Sequence, residues 1–297
     1  MTHVQATEKA VKTRPSAVSE VVEMIKTIVF ALGMALVIRT FFFQPYTIPS
    51  GSEEPNLYRG DYIIVSKWSY GFSHHSILGS PPLFRGRLFF HTPTRGDIVV
   101  FKLPSDGRTD YIKRLVGLPG DRIQVRRGQL VINGKPLARR AEGMTQAVQT
   151  RGPYKDPAPI PAAMVRETNP EGRAYLVQML SEGGQADNTG VYVVPQHCYF
   201  MMGDNRDNSA DSRFDSGLAP DDPKLAGCGW DSRLDAAVGN GSGVGFVPEE
   251  NLVGRARIIL LSWKTGVDEW HNTGASPFKP WTWITDLRPA RFLNVLK

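Results

Sequence analysis

The sequence is poor in cysteine, which excludes several classes of protein. Only Cys198 and Cys228 occur among the 297 residues. Two cysteines are too few for a disulfide framework, and without a CxxC pair they fit neither a zinc ribbon nor a thioredoxin-type redox site. A chain of this length can bury a sizeable hydrophobic core without such crosslinks.

Histidine is also scarce, and no histidine stands in a recognisable catalytic or metal-binding pattern. The six histidines fit neither an HExxH site nor an evident Ser-His triad. The glycine-rich run at 239–245 does not complete a GxGxxG motif, so a nucleotide cradle is not indicated. We therefore expect no metal and no cofactor. The net charge of +6 suits an anionic membrane as well as a nucleic acid and decides nothing.

Only one hydrophobic run is long enough to cross a membrane, and it spans residues 21–43. Lys26 and Arg39 lie near its two ends and can extend toward the polar surface, while Phe41–Phe43 can lie at the interface. A helix of about 23 residues crosses roughly 30 Å of hydrocarbon. The sequence predicts a transmembrane anchor at 21–43, preceded by a polar cytoplasmic tail at 1–20.

The flanking charges predict the orientation of this anchor. Three basic residues precede it, whereas Arg39 is the only one between its apolar core and Arg59. The positive-inside rule therefore puts the N-terminus in the cytoplasm and the chain beyond Gln44 outside. A cleavable signal peptide would need small residues after the apolar core, and the sequence continues RTFFFQP instead. An amphipathic or core helix is the remaining alternative.

Beyond Pro49 the sequence consists of short β-like runs separated by glycine and proline. These runs are Tyr62 to Lys67, Asp97 to Lys102, Tyr111 to Val116, Arg122 to Val125, Leu130 to Ile132, Val191 to Val194, Tyr199 to Met202 and Gly254 to Ser262. The spacing predicts a mainly β fold, with an antiparallel β core over 44–126 and 191–297. We expect a second, loop-rich β lobe over 127–190 and an inserted loop at about 216–245.

Two segments of the β core contain candidate catalytic residues. In PSGS, Gly51 permits a tight turn that would expose the hydroxyl of Ser52, although such a sequence is also typical of an ordinary loop. In DYIKRLV, strand alternation places Lys113 on the same face as Tyr111 and Leu115. A lysine buried among apolar neighbours has a lowered pKa and can act as a general base. A surface lysine on an edge strand is the alternative.

The segment GDNRDNSADSR, from Gly203 to Arg213, is unusually dense in polar side chains. It lacks the EF-hand spacing and the closing glutamate, and arginines interleave with its acidic residues, which argues against a cation site. We expect a polar network that supports a site. In it Asp211 and Arg213 form an ion pair, and the Ser209 hydroxyl is free to bind an amine.

Taken in order, these segments resemble the bacterial type I signal peptidases. The resemblance comprises PSGS with Pro55 and GDYIIVSKWSYG, then RGDIVVFK, YIKRLVGLPGD, GDNRDNSADSR and GFVPEENLVGRA. It implies a membrane-bound serine endopeptidase whose β-rich catalytic region lies on the outer, periplasmic side of the inner membrane. Its partners would be signal peptides of secreted preproteins emerging from the translocon, cut after small residues of the Ala-X-Ala type, together with membrane lipid. No nucleic acid is expected.

The same resemblance assigns roles to individual residues. Ser52 matches the nucleophile of the family and Lys113 its general base. Ser50 matches the serine that forms the oxyanion hole together with the backbone N–H of Ser52. Three further residues match supporting positions: Ser209 for orienting the lysine, and the pair Asp211 and Arg213.

The sequence departs from the family pattern at Glu53 and Glu54, where apolar or mixed residues are usual. A carboxylate directed into the site would stabilise the ammonium form of Lys113. We therefore predict that Glu53 points toward solvent or pairs with a basic residue such as Arg59, and that the pH optimum is more alkaline than in relatives with Met there. The inserted loop is a further departure, and its Cys228 can reach Cys198 in an oxidising compartment.

Two other functions are open at this stage. A homologue with impaired catalysis would bind signal peptides without cleaving them. A self-cleaving repressor would share the Ser-Lys chemistry, but it predicts an N-terminal helix-turn-helix where this chain has a hydrophobic run.

Overall fold

The computed structural model describes residues 17–147, 160–180, 183–230, 243–264, 281 and 283–296. Most of the predicted tail and the centre of the inserted loop, residues 231–242, lie outside these ranges. The chain divides into two compact units, Met1–Arg39 and Thr40–Lys297. One long helix is followed by antiparallel sheets, so the predicted mainly β fold is confirmed.

Helix α1 spans Ala17–Phe41 and begins four residues before the predicted anchor. Its segment Val18–Phe41 is long and apolar enough to cross a membrane. Its large apolar side chains, such as those of Phe30 and Leu32, are exposed rather than packed against other residues. Such a surface is stable only against another apolar phase.

Fifteen strands follow in the described residues. They are β1 Phe43–Thr47, β2 Asp61–Ser66, β3 Ile98–Lys102, β4 Asp110–Gly117, β5 Arg122–Arg126, β6 Gln129–Ile132, β7 Lys135–Pro136, β8 Ala138–Ala147, β9 Ile160–Thr168, β10 Ala174–Met179, β11 Tyr192–Val193, β12 Cys198–Met202, β13 Val247–Pro248, β14 Leu252–Ser262 and β15 Asn294–Val295. A short helix, α2, spans Trp283–Asp286. All eight predicted β-like runs correspond to strands.

The largest sheet has the strand order β1-β2-β14-β3-β4-β12-β13, and β15 pairs with β14. Strand β4 lies inside this sheet, with Lys113 opposite Val99 of β3. On its other side Arg114 lies opposite Met202, the last residue of β12. The chain leaving β12 at Gly203 therefore starts close to Lys113.

Buried apolar side chains on both sides of this sheet fix the segments around Lys113. Ile48 and Leu57, at the two ends of the turn between β1 and β2, are buried in one cluster with residues of β2, β3 and β14. Val99, Leu115 and Met201 belong to a second cluster on the three neighbouring strands. Since burying such a side chain contributes about 1.5–3 kcal/mol, these clusters hold the turn and β4 in a fixed register.

Residues 127–190, where we expected a loop-rich segment, contribute strands to two smaller sheets. A four-stranded sheet has the order β11-β5-β6-β7, and a three-stranded sheet has the order β10-β9-β8. Strand β8 has ten residues, of which only Ala147 is buried. A strand that buries so little shows no alternation of polar and apolar residues, which is why this segment looked like a loop.

Within the segment predicted as an inserted loop, Cys228 forms a disulfide bond with Cys198, a pairing that the sequence allowed but left open. Both cysteines are buried, and Trp230 and Phe200 belong to the same hydrophobic cluster. The bond ties the loop to the first residue of β12.

Replacement of both cysteines by alanine should lower the free energy of unfolding. The two residues are 30 positions apart, and closing a loop of that size stabilises a protein by about 3 to 4 kcal/mol. The measurement is denaturant unfolding of the oxidised protein and of the double variant in the same detergent. A reductant should destabilise the wild type and leave the variant unchanged. Equal stability of the oxidised wild type and the double variant would contradict this prediction.

Candidate active site

Ser52 lies in the turn between β1 and β2. The N–H groups of Asn56 and Leu57 donate to the carbonyl oxygen of Glu53 at 3.0 and 2.9 Å, which closes the turn. Asn205 holds it from the other side, donating from its backbone N–H to the Ser52 carbonyl oxygen at 3.0 Å. Ser52 is only 7% exposed, so its hydroxyl is less accessible than the glycine in the turn suggested.

Lys113 points from the middle of the sheet toward this turn. Its Nζ atom lies 2.6 Å from Ser52 Oγ and 2.9 Å from the carbonyl oxygen of Ile112. The side chain is buried, and its strand has neighbours on both sides. The alternative of a surface lysine on an edge strand is therefore wrong.

Burial lowers the pKa of Lys113, because the ammonium form loses its hydration. Glu53, Asp211 and Asp204 oppose this shift through their negative charges, and the positive charge of Arg213 adds to it. Desolvation is the largest of these effects, and the pKa falls below the ordinary lysine value. A neutral amine within hydrogen-bond distance of a serine hydroxyl can remove its proton.

The Ser50 side chain lies beside the same hydroxyl. Its Oγ atom is 3.3 Å from Ser52 Oγ, and the residue is partly buried. Ser50, Ser52 and Lys113, which the sequence singled out from two distant segments, are thus within one hydrogen-bonded group. The role of Ser50 in an oxyanion hole stays a prediction.

Asp211 and Arg213 form the expected ion pair beneath the site. The Arg213 Nε and Nη2 atoms both lie 2.9 Å from Asp211 carboxylate oxygens. The backbone N–H of Gly203 donates to the same carboxylate at 3.0 Å. Burial by itself raises the pKa of Asp211, but the Arg213 guanidinium and these hydrogen bonds hold it below its usual value.

Ser209 is buried next to Gly203, without the hydrogen bond that its expected role requires. Its Oγ atom has no hydrogen-bond partner within the described part of the chain. A β-carbon at Gly203 would collide with Ser209 and with the carbonyl oxygen of Ser52. Glycine thus lets Ser209 approach the Ser52 turn closely. The role of Ser209 in orienting the lysine stays a prediction.

The prediction that Glu53 points toward solvent or pairs with Arg59 is wrong. Glu53 is fully buried, and its Oε1 atom lies 4.0 Å from Lys113 Nζ. The turn that closes on the Glu53 carbonyl oxygen directs the Glu53 side chain inward. Glu54 is partly exposed, and it is the Glu54 carboxyl on which the positive charge of Arg59 acts, opposing the rise in pKa that burial causes. Burial raises the pKa of Glu53 well above its usual range.

Sequence reasoning missed a second buried ion pair below the turn. Arg114 binds Asp204 through two hydrogen bonds of 2.7 Å, and Asp204 also accepts one from Asn56. Asp204 belongs to the polar segment already singled out, but nothing in the sequence linked it to an arginine 90 positions away. No group of acidic, histidine and cysteine side chains suited to a metal ion occurs in the described ranges.

Known proteins match this chain over most of its length. The family model described as "Signal peptidase, peptidase S26" matches residues 21–263. Signal peptidase I of Rickettsia typhi is 37% identical over 251 residues, covering 82% of this chain and 80% of its own. Signal peptidase I of Rickettsia felis is 36% identical with the same coverage.

A solved structure, that of a signal peptidase I from Enterococcus faecalis V583, is 23% identical with a TM-score of 0.26. The match covers 56% of this chain and 97% of the Enterococcus chain. The family model and the Rickettsia relatives establish the relationship. The chain belongs to the signal peptidase family, peptidase S26, and is a serine endopeptidase.

Proposed function

We propose that this protein removes N-terminal signal peptides from secreted preproteins with a dyad of Ser52 and Lys113. The observation that carries the proposal is the distance of 2.6 Å between Lys113 Nζ and Ser52 Oγ. It is supported by the burial that lowers the pKa of Lys113. A serine needs a base to become a nucleophile, and a neutral lysine amine supplies one without histidine.

Acylation begins when Ser52 Oγ bonds to the scissile carbonyl carbon and its proton passes to Lys113 Nζ. The carbonyl electrons move to the oxygen, where the backbone N–H of Ser52 and the hydroxyl of Ser50 stabilise the negative charge. When the C–N bond breaks, the Lys113 ammonium gives its proton to the leaving nitrogen. The signal peptide is then held as an ester of Ser52.

Deacylation repeats these steps with water. Neutral Lys113 takes a proton from the water as its oxygen bonds to the ester carbonyl carbon. The bond from that carbon to Ser52 Oγ then breaks, and the proton on Lys113 returns to Oγ. Lys113 is neutral again, and the cleaved signal peptide leaves with a free carboxylate.

The access to Ser52 favours small substrate side chains. Ser52 is 7% exposed, so a scissile bond reaches Oγ only if the neighbouring side chains need little room. An extended substrate obtains main-chain hydrogen bonds irrespective of its sequence, and two shallow pockets then suffice for selection. This limited access supports the proposed cleavage after Ala-X-Ala segments.

We further propose that α1 anchors the enzyme in the inner membrane, with its N-terminus in the cytoplasm and the catalytic region on the periplasmic side. The exposed apolar surface of α1 supports the anchor. The disulfide bond supports the outer location, since disulfides persist in oxidising compartments. An anchored enzyme meets preproteins at the membrane as they emerge from the translocon.

The buried carboxyl of Glu53 favours one second candidate function. Its negative charge would keep Lys113 protonated, and such a protein would bind signal peptides without cleaving them. Incubation with a preprotein separates the two functions, because a protein of the second kind leaves the preprotein intact.

Purified wild-type protein in detergent should cleave a preprotein at its signal peptide junction. Ser52→Ala and Lys113→Ala should each remove nearly all cleavage. Lys113→Arg should do the same, since an arginine side chain does not give up its proton in proteins. The double alanine variant should be no worse than either single variant, because nucleophile and base act as one unit. Gel analysis and mass spectrometry of the products measure this. An active Lys113→Arg enzyme would contradict the dyad.

Protease added to spheroplasts should digest the region beyond Gln44 and leave a protected fragment that contains the N-terminus. An N-terminal epitope tag identifies this fragment on an immunoblot. The positive control is lysis, after which the tag should also be lost. Protection of the whole chain before lysis would contradict the proposed orientation and place the region beyond Gln44 in the cytoplasm.

A further inference from the structure

The carboxyl group of Glu53 has no role in the dyad chemistry, yet it is buried beside the base. We infer that Glu53 sets the pH at which the dyad becomes active, by stabilising the ammonium form of Lys113 and so delaying its conversion to a free base. This inference rests on the proposed Ser52–Lys113 dyad and adds a control of its working range.

The geometry makes the interaction strong. Glu53 Oε1 lies 4.0 Å from Lys113 Nζ, and the two side chains are 1% and 5% exposed. Solvent screens a pair so deeply buried far less than a pair at the surface. Neither carboxyl oxygen of Glu53 has a hydrogen-bond partner within the described residues. The carboxyl therefore acts on Lys113 through charge rather than through a hydrogen-bonded proton relay.

The other charged groups around Glu53 are already engaged with each other. On β4, the Nε and Nη2 atoms of Arg114 donate to the two carboxylate oxygens of Asp204. On the polar segment after β12, Asp211 is bound by Arg213. Among these groups Lys113 is the cation without a carboxylate in hydrogen-bond contact, in the part of the chain that is described. Asp204 disfavours the ionised form of Glu53, and Lys113 and Arg114 favour it, so an ionised Glu53 in turn favours the ammonium form of Lys113.

The sign of the effect does not depend on which group loses its proton first. A protonated Glu53 is neutral and leaves the titration of Lys113 almost unchanged, whereas an ionised Glu53 favours the ammonium form. Glu53 can therefore only reduce the fraction of free amine at a given pH. Burial raises the pKa of Glu53 and lowers that of Lys113, which moves the two titrations toward each other.

The test compares the pH dependence of kcat/KM for the wild type, Glu53→Gln and the matched control Glu54→Gln. The preprotein is cleaved from about pH 5 to about pH 10, and the wild-type acid limb should lie well below the ordinary lysine pKa of about 10.4. Glutamine keeps the shape of glutamate and removes its charge. Glu54 is adjacent in sequence but is influenced by Arg59 and Arg288.

Glu53→Gln should move the acid limb to lower pH by about one unit or more, because an opposite charge at this distance shifts a pKa by about one to three units. At a pH below the wild-type limb, the variant should then cleave about tenfold faster or more. Glu54→Gln should keep the wild-type limb. A merely structural role of Glu53 would instead lower the rate at every pH.

An unchanged limb in Glu53→Gln would overturn the inference, as would an equal shift in Glu54→Gln or a loss of rate at every pH in a folded variant. Circular dichroism melting shows whether the variants fold. If glutamine destabilises the turn, Glu53→Met removes the same charge and carries the same expectation. Failure of the wild type to cleave, or activity of Lys113→Arg, would instead refute the proposed function.

Discussion

The burial of one lysine amine against one serine hydroxyl is the constraint on which the rest of the structure depends. Lys113 lies on a strand with neighbours on both sides, and Ser52 lies in a turn whose two ends are buried in the core. The sheet thereby removes water from the amine, and the turn brings the hydroxyl within 2.6 Å of it. Desolvation costs the protein stability, and the packing of the β core compensates for it.

Buried ion pairs hold the segments that form the site. Arg114 with Asp204 and Arg213 with Asp211 fix the polar segment after β12, and that segment holds the Ser52 turn through Asn205. Buried pairs of this kind contribute little net stability, but losing one partner leaves an uncompensated charge and is costly. They are better understood as devices that keep the two segments in one relative position.

The sequence allowed the strands to be predicted, because each left a local pattern of alternation or composition. The pairing of Cys198 with Cys228 and the burial of Lys113 were only two of the open possibilities, since both depend on how distant segments pack. The sequence did not allow the direction of Glu53 to be predicted, since that depends on how a turn closes on its own carbonyl oxygen. The pair of Arg114 with Asp204 joins residues 90 positions apart and has no local pattern. Strand β8 escaped detection because nearly all of its side chains remain exposed or partly exposed.

The proposed dyad requires that Lys113 in the resting enzyme loses its proton at a lower pH than a solvated lysine does. The most direct measurement is the pH titration of its ¹³Cε resonance in protein labelled at lysine, assigned by the loss of that signal in Lys113→Met. Solvated lysines titrate near about 10.4, and Lys113 should titrate clearly below them, in the same range as the acid limb of cleavage. A Lys113 resonance that titrates together with the solvated lysines would contradict the account.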